Sequence, residues 1–296
     1  MNLKMVRFPL YILILLSVLS CGRNFADEGV PVITVSIAPY KYFVEKIAGD
    51  DYLVNVMVPA GANPHVYEPY PDQITSLRRS VAYISNGYLG FEMAWLDRFY
   101  EVNKGMVRLS LGDYIEPLES DHHHHEGEHV EIADPHYWVS PECAMIMAET
   151  LKDFLSELNP SRKDYYEANY RDLDSIIVSV DKIADELFSG IRNRSFMIFH
   201  PNLGYLARDY GLEEITVEYE GKEPPPSRLK ALIDRARKDK LKMIFVQKEY
   251  DTKNARAIAD EIGAEVKIID PLSEDWERST LEIIYSLKES LTEGTK

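Results

Sequence analysis

The chain has 296 residues, with 33 Lys and Arg against 49 Asp and Glu, and a formal net charge of −16 at neutral pH. Nucleic-acid binding normally requires a basic face, so this acidic excess argues against a nucleic-acid partner. The length is sufficient for two domains, because one domain commonly takes about 100–200 residues.

The beginning of the chain is typical of a secretory signal. Lys4 and Arg7 give a positive start, and residues 9–19 form an apolar run. The run is shorter than the stretch of about 20 apolar residues that a membrane span requires. We therefore expect residues 1–20 to be a signal peptide, with an uncleaved anchor helix as the alternative.

The tetrapeptide Val-Leu-Ser-Cys at residues 18–21 resembles a bacterial lipobox. This resemblance predicts that Cys21 becomes the acylated first residue of the mature protein and that residues 21–30 form a lipidated tether. Acylation of Cys21 would leave Cys143 without an intramolecular disulfide partner, so stability must come from the core.

Strand and helix patterns alternate along most of the remaining chain. Strands are predicted at 33–38, 52–58, 81–85, 107–111, 195–199, 214–219, 243–246 and 264–269. Helices are predicted at 41–48, 72–79, 91–102, from about 141, and at 203–210, 227–240, 252–262 and 277–291. This alternation indicates parallel sheets with helices on both faces. We expect an α/β protein of two lobes, at 31–160 and 191–296.

A single long helix is predicted at 161–190, between the two lobes. Residues 161–189 contain neither Gly nor Pro, Pro160 precedes them and Gly190 follows them, as helix ends prefer. Apolar residues at spacings of three and four form one stripe along it: Tyr166, Tyr170, Leu173, Ile177, Val180, Ala184 and Leu187. Such a helix would be roughly 40 Å long, and we interpret it as a rigid connection between the lobes. A coiled-coil dimerisation helix is the alternative.

The irregular segment 113–133 is rich in histidine and acidic residues. It contains five of the eight histidines: His122, His123, His124, His125 and His129. Clustered imidazoles among carboxylates can hold zinc weakly in many exchanging arrangements, which predicts an auxiliary metal-collecting loop. The alternative is a solvated linker.

The other three histidines lie where a ligand site is expected in an α/β fold. His65 is in the loop that leaves the second predicted strand, and His200 directly follows the strand at 195–199. Asp270 ends the strand at 264–269, while His136 lies just before the helix that begins near residue 141. Ligands of open α/β sheets bind beyond the carboxyl ends of the strands, so we expect these four residues to converge.

Three imidazoles and one carboxylate form a tetrahedral zinc site, whereas manganese and magnesium favour sites richer in oxygen. The sequence therefore predicts zinc bound by His65, His136 and His200, with Asp270 as the fourth donor. Water or another carboxylate (Glu68, Asp134 or Glu220) is the alternative for the fourth position.

The segments GANPHVYEP around His65, DPHYWVSP around His136 and IFHPNLGY around His200 resemble the ligand motifs of the metal-binding lipoproteins of cluster A-I ABC transporters. The similarity covers essentially the whole mature chain, including residues 91–95 and 251–258. The resemblance implies two α/β lobes joined by a rigid helix, and His65, His136, His200 and Asp270 as ligands. It also implies a His-rich acidic loop in zinc members, and a glutamate in place of His200 in manganese members.

The resemblance further implies an extracytoplasmic zinc-binding protein that delivers the ion to an ABC permease and is not an enzyme. We expect a monomer held at a bacterial membrane through Cys21. The alternatives are a manganese- or iron-binding member of the same family, or a three-histidine zinc hydrolase or lyase, which would need a water on the metal and a nearby acid or base.

Overall fold

Two parallel four-stranded sheets form the centre of the protein in the computed structural model, which describes residues 29–118, 133–218 and 224–292. The first sheet contains β1 (Val32–Val35), β2 (Leu53–Val56), β3 (Ser80–Ser85) and β4 (Val107–Ser110), in the order β2-β1-β3-β4. The second contains β5 (Ser195–Ile198), β6 (Glu213–Thr216), β7 (Met243–Gln247) and β8 (Glu265–Ile269), in the order β6-β5-β7-β8. All neighbouring strands are parallel, which confirms the predicted α/β class.

Helices flank both sheets. They are α1 (Ala38–Ala48), α2 (Pro71–Ser76), α3 (Gly90–Val102), α4 (Pro141–Leu158), α5 (Lys163–Phe188), α6 (Gly204–Tyr210), α7 (Pro226–Lys238), α8 (Lys253–Ile262) and α9 (Trp276–Thr292). The main difference from the predicted bounds is at α1, which begins three residues earlier than the sequence pattern suggests. Pro39 lies in its first turn, where a proline needs no hydrogen-bond donor, and this shortens the preceding strand to Val35.

The long helix α5 lies between the two sheets along the chain. It has 26 residues, which corresponds to about 39 Å, and it packs against α1 and α4 of the first lobe and against α9 of the second. Most of the predicted stripe is buried, and only Tyr170 and Leu187 are partly buried. Phe188, which follows the stripe, is also buried. The stripe is thus covered within the chain itself, which removes the basis for the coiled-coil alternative.

A continuous apolar core extends across both lobes. It includes α5 and residues of both sheets, whereas a second, smaller cluster covers the other face of the second sheet. Two buried tryptophans connect the lobes through hydrogen bonds: Trp138 Nε1 donates to the Pro271 carbonyl at 2.8 Å, and Trp276 Nε1 donates to the Trp138 carbonyl at 2.7 Å. The lobes therefore share a buried apolar interface in addition to α5, which limits their independent movement.

Several predicted features lie outside the described residues. These are the signal peptide, Cys21, most of the tether, Glu220 and the five histidines of the His-rich segment. Among residues 29–118, 133–218 and 224–292, no helix has the length and apolar character required to cross a membrane.

Candidate metal centre

His65 is held by the loop between β2 and α2. Its backbone N–H donates to Asn63 Oδ1 at 2.9 Å, an Asx turn that fixes the loop locally. The loop lies directly against the start of α3, where a Cβ atom on Gly90 would come within 2.4 Å of the His65 carbonyl oxygen. Glycine at position 90 is therefore required for this close approach of two backbones.

His136 is buried and is held from two sides by one carboxylate. Asp134 Oδ1 accepts hydrogen bonds from the His136 backbone N–H at 2.9 Å and from His136 Nδ1 at 2.7 Å. Burial alone would raise the pKa of Asp134, but the electrostatic attraction and the hydrogen bonds from His136 outweigh this effect, and the pKa lies below its ordinary value. Asp134 therefore remains a carboxylate that accepts from Nδ1.

His200 follows β5 and is also buried. Its Nδ1 contacts Glu218 Oε2, and its ring stacks on Tyr250 with a centroid distance of 4.7 Å and an interplanar angle of 20°. The Tyr250 hydroxyl accepts a hydrogen bond from Asn63 Nδ2 at 3.3 Å. Tyr250 thus joins the His65 loop of the first lobe to His200 of the second.

The three imidazoles meet at their Nε2 atoms. His65 Nε2 lies 3.1 Å from His136 Nε2 and 3.2 Å from His200 Nε2, and each of the three residues offers a ligand atom within 4.8 Å of the others. Three nitrogens bound tetrahedrally to zinc at about 2.0–2.1 Å would lie about 3.3–3.4 Å apart. The cluster is therefore arranged as one face of a zinc tetrahedron.

The carboxylates behind two of the rings determine which nitrogen faces the centre. Asp134 and Glu218 accept hydrogen bonds from the Nδ1 atoms of His136 and His200, so the protons lie on Nδ1 and the Nε2 lone pairs point inward. A neutral imidazole with a free Nε2 lone pair is the form that binds metal ions.

Asp270 is not part of this cluster. Its carboxylate pairs with Lys248 Nζ at 3.1 Å, and its backbone carbonyl accepts a short hydrogen bond from Ser279. Of the other carboxylates considered from the sequence, Glu68 is exposed and Asp134 contacts His136. A different carboxylate, Glu249, lines a small cavity of about 10 Å³ beside His65 and His136, and burial raises its pKa.

A buried network of hydrogen bonds around Asn86 supports the segment that carries His136. Asn86 Nδ2 donates to the Pro135 carbonyl at 2.9 Å and to the Tyr40 hydroxyl at 2.6 Å. The backbone N–H of Asn86 donates to Glu92 Oε1 at 2.7 Å, and burial raises the pKa of Glu92 from 4.5 to about 7. The network thus connects the start of α3 to the segment that carries His136.

The family model ZnuA, described as "Zinc-uptake complex component A periplasmic", matches residues 33–293. The chain belongs to the ZnuA family. The resemblance to metal-binding proteins of ABC transporters is thereby confirmed. The ZnuA family is the extracytoplasmic, substrate-binding component of a transport complex and not a family of enzymes.

Individual relatives agree with membership of the ZnuA family. The zinc-binding lipoprotein AdcA of Streptococcus pneumoniae is 27% identical over 289 residues, which cover 94% of this chain and 57% of AdcA. The chain therefore spans about half the length of the curated AdcA relatives that it matches. A putative metal-binding protein of Treponema pallidum is 27% identical over 84% of this chain and 81% of its own length.

Solved ZnuA structures have the same two-lobe fold. A crystal structure of ZnuA is 37% identical, covers 89% of this chain and 100% of its own, and superposes with a TM-score of 0.84. A ZnuA deletion mutant with zinc bound, also 37% identical, covers 89% of this chain and 98% of its own, with a TM-score of 0.82.

Three residues that surround the centre of this ZnuA-family chain were missed from the sequence: Glu218, Glu249 and Tyr250. A signal for Glu218 was present, because β6 neighbours β5 and its continuation reaches the same edge as His200. The backbone N–H of Glu218 donates to the Phe199 carbonyl at 2.8 Å. Glu249 and Tyr250 follow β7 in a turn whose conformation the sequence pattern does not reveal.

Proposed function

We propose that this chain binds one zinc ion through His65, His136 and His200 and delivers it to an ABC permease outside the cytoplasm. The observation that supports this best is the convergence of three Nε2 atoms at tetrahedral spacing, from loops of both lobes. Membership of the ZnuA family supports the same conclusion. Three imidazole donors favour zinc over manganese, which prefers oxygen donors.

Single alanine substitutions test the proposed ligands. His65→Ala, His136→Ala and His200→Ala should each remove most of the tight zinc binding, measured by competition with a zinc chelator of known affinity. Glu68→Ala is the matched control, because it removes an exposed side chain from the His65 loop. Tight binding in all three histidine variants would contradict the proposal.

Delivery requires the protein to remain close to its permease. We propose that acylated Cys21 anchors the chain to the membrane, as the lipobox resemblance implies, and that the protein acts as a monomer. Cys21→Ser should abolish acylation and membrane partitioning in a fractionation experiment. Unchanged partitioning of the variant would instead indicate an uncleaved apolar anchor.

We also propose that His122–His125 and His129 collect zinc weakly for the central site. Deletion of residues 122–129 should leave one tight zinc per chain and remove the weaker equivalents, because His65, His136 and His200 lie outside the deleted segment. Zinc titration of the intact protein and of the deletion variant measures the number of tight and of weak zinc equivalents. Loss of the tight site after deletion would show that this segment supplies a ligand.

A further inference from the structure

Three histidine nitrogens leave one position of a tetrahedral zinc ion to be filled. Two carboxylates that contact the ligand imidazoles are already engaged. Asp134 accepts from His136 Nδ1, and Glu218 contacts His200 Nδ1. Asp270 forms an ion pair with Lys248, outside the histidine cluster.

The cavity beside His65 and His136 contains another carboxylate. Its lining includes Asn63, His65, His136, Gln247, Glu249 and Tyr250. Asn63 is occupied by hydrogen bonds with His65 N and the Tyr250 hydroxyl. Glu249 is therefore the anionic oxygen donor of this cavity.

The end of β7 explains how Glu249 reaches the cavity. Met243 and Phe245 face the core shared by the two lobes, and Gln247 continues this face into the cavity wall. The next residues form a turn, in which the Tyr250 N–H donates to the Gln247 carbonyl at 3.0 Å. The turn directs Glu249 towards the cavity, and it leaves Lys248 exposed beside Asp270.

The surroundings of Glu249 favour a cation. Its side chain is half-buried, and it forms no ion pair within the described parts of the chain. Asp270 adds a second negative charge nearby. A half-buried carboxylate beside imidazole lone pairs is stabilised when a divalent cation enters.

We propose that Glu249, rather than Asp270, supplies the fourth zinc donor. This inference rests on the proposed zinc binding by His65, His136 and His200. The Glu249 carboxylate lies outside the set of atoms that converge within 4.8 Å, so its side chain turns towards the ion when zinc binds.

The test compares Glu249→Gln with Asp270→Asn, two isosteric changes that each remove one charge. Zinc affinity is measured by chelator competition, and Co²⁺ is used as a spectroscopic probe because its visible absorption depends on the donor set. Glu249→Gln should weaken zinc binding by about tenfold or more and change the Co²⁺ spectrum. Asp270→Asn should leave the zinc affinity and the Co²⁺ spectrum close to wild type. The zinc affinity of Glu249→Asp should lie between those of wild type and Glu249→Gln.

Wild-type affinity and an unchanged Co²⁺ spectrum in Glu249→Gln would overturn the inference. Weakened zinc binding and a changed Co²⁺ spectrum in Asp270→Asn alone would also overturn it. His65→Ala is measured in the same series. If His65→Ala still bound zinc tightly, both the proposed zinc site and the inference about Glu249 would be overturned. Loss of binding in His65→Ala, with wild-type behaviour of Glu249→Gln, would overturn only the assignment of the fourth donor.

Discussion

Removal of the carboxylate behind a zinc-binding imidazole should weaken zinc binding without removing a ligand. Glu218 contacts His200 Nδ1, and its side chain is only 10% exposed. With Glu218 present, Nδ1 carries the proton and Nε2 offers its lone pair to the ion. In Glu218→Ala, His200 loses this constraint, so zinc binding must select both the tautomer and the ring orientation.

Substitution of such carboxylate partners typically costs about 10–100-fold in metal affinity, or about 1.4–2.7 kcal/mol. We expect Glu218→Ala near the upper end, because the contact is buried and alanine removes both the charge and the acceptor. Glu218→Gln should lie near the lower end, since its amide oxygen can still accept from Nδ1. Asp134→Ala should cost at least as much as Glu218→Ala, because Asp134 also holds the His136 backbone N–H.

Chelator competition at neutral pH measures these affinities, and circular dichroism establishes that each variant is folded. Glu68→Ala is the control for removal of a carboxylate near the site but exposed to solvent. If folded Glu218→Ala and Asp134→Ala bound zinc as tightly as Glu68→Ala, the carboxylates would not orient the ligands, and this reasoning would be refuted.

Three further predictions concern the support of the site. Gly90→Ala should destabilise the fold by about 1–3 kcal/mol and weaken zinc binding, because the new methyl group meets the His65 carbonyl; thermal unfolding and chelator competition measure the two effects. The pKa of Glu92, raised from 4.5 to about 7, means that the folded state binds this proton more tightly. The contribution of Glu92 to the free energy of unfolding should therefore fall by about 3 kcal/mol as pH rises from about 4.5 to 7. Denaturant titrations at several pH values measure this dependence, and Glu92→Gln should flatten it. Tyr250→Leu should weaken zinc binding by about 0.5–1.5 kcal/mol in chelator competition, because the ring stacked on His200 is lost.

Each of these predictions has a control within the chain. Gly105→Ala places its methyl group at ordinary van der Waals distance, 3.7 Å from Asn103 Oδ1, so a similar loss there would contradict the steric explanation. Glu45→Gln changes an exposed carboxylate and should leave the pH dependence unchanged. Tyr250→Phe keeps the stacked ring, so it should bind zinc more tightly than Tyr250→Leu; equal losses would assign the effect to the hydroxyl.

The sequence was sufficient to predict the fold and the meeting of His65, His136 and His200. Alternating strand and helix patterns set two parallel sheets, and residues at carboxyl ends of parallel strands share an edge. The same rule suggested Asp270, which does end β8, but its side chain pairs with Lys248. Side-chain direction after a strand depends on the local turn, and no periodic pattern describes the turn that places Glu249 in the cavity.

Anomalous diffraction at the zinc edge, from crystals of the zinc-loaded protein, tests the central claim most directly. One strong peak should lie about 2.0–2.1 Å from the Nε2 atoms of His65, His136 and His200. A zinc ion bound elsewhere on the chain, with these three imidazoles outside bonding distance of the metal, would contradict the account.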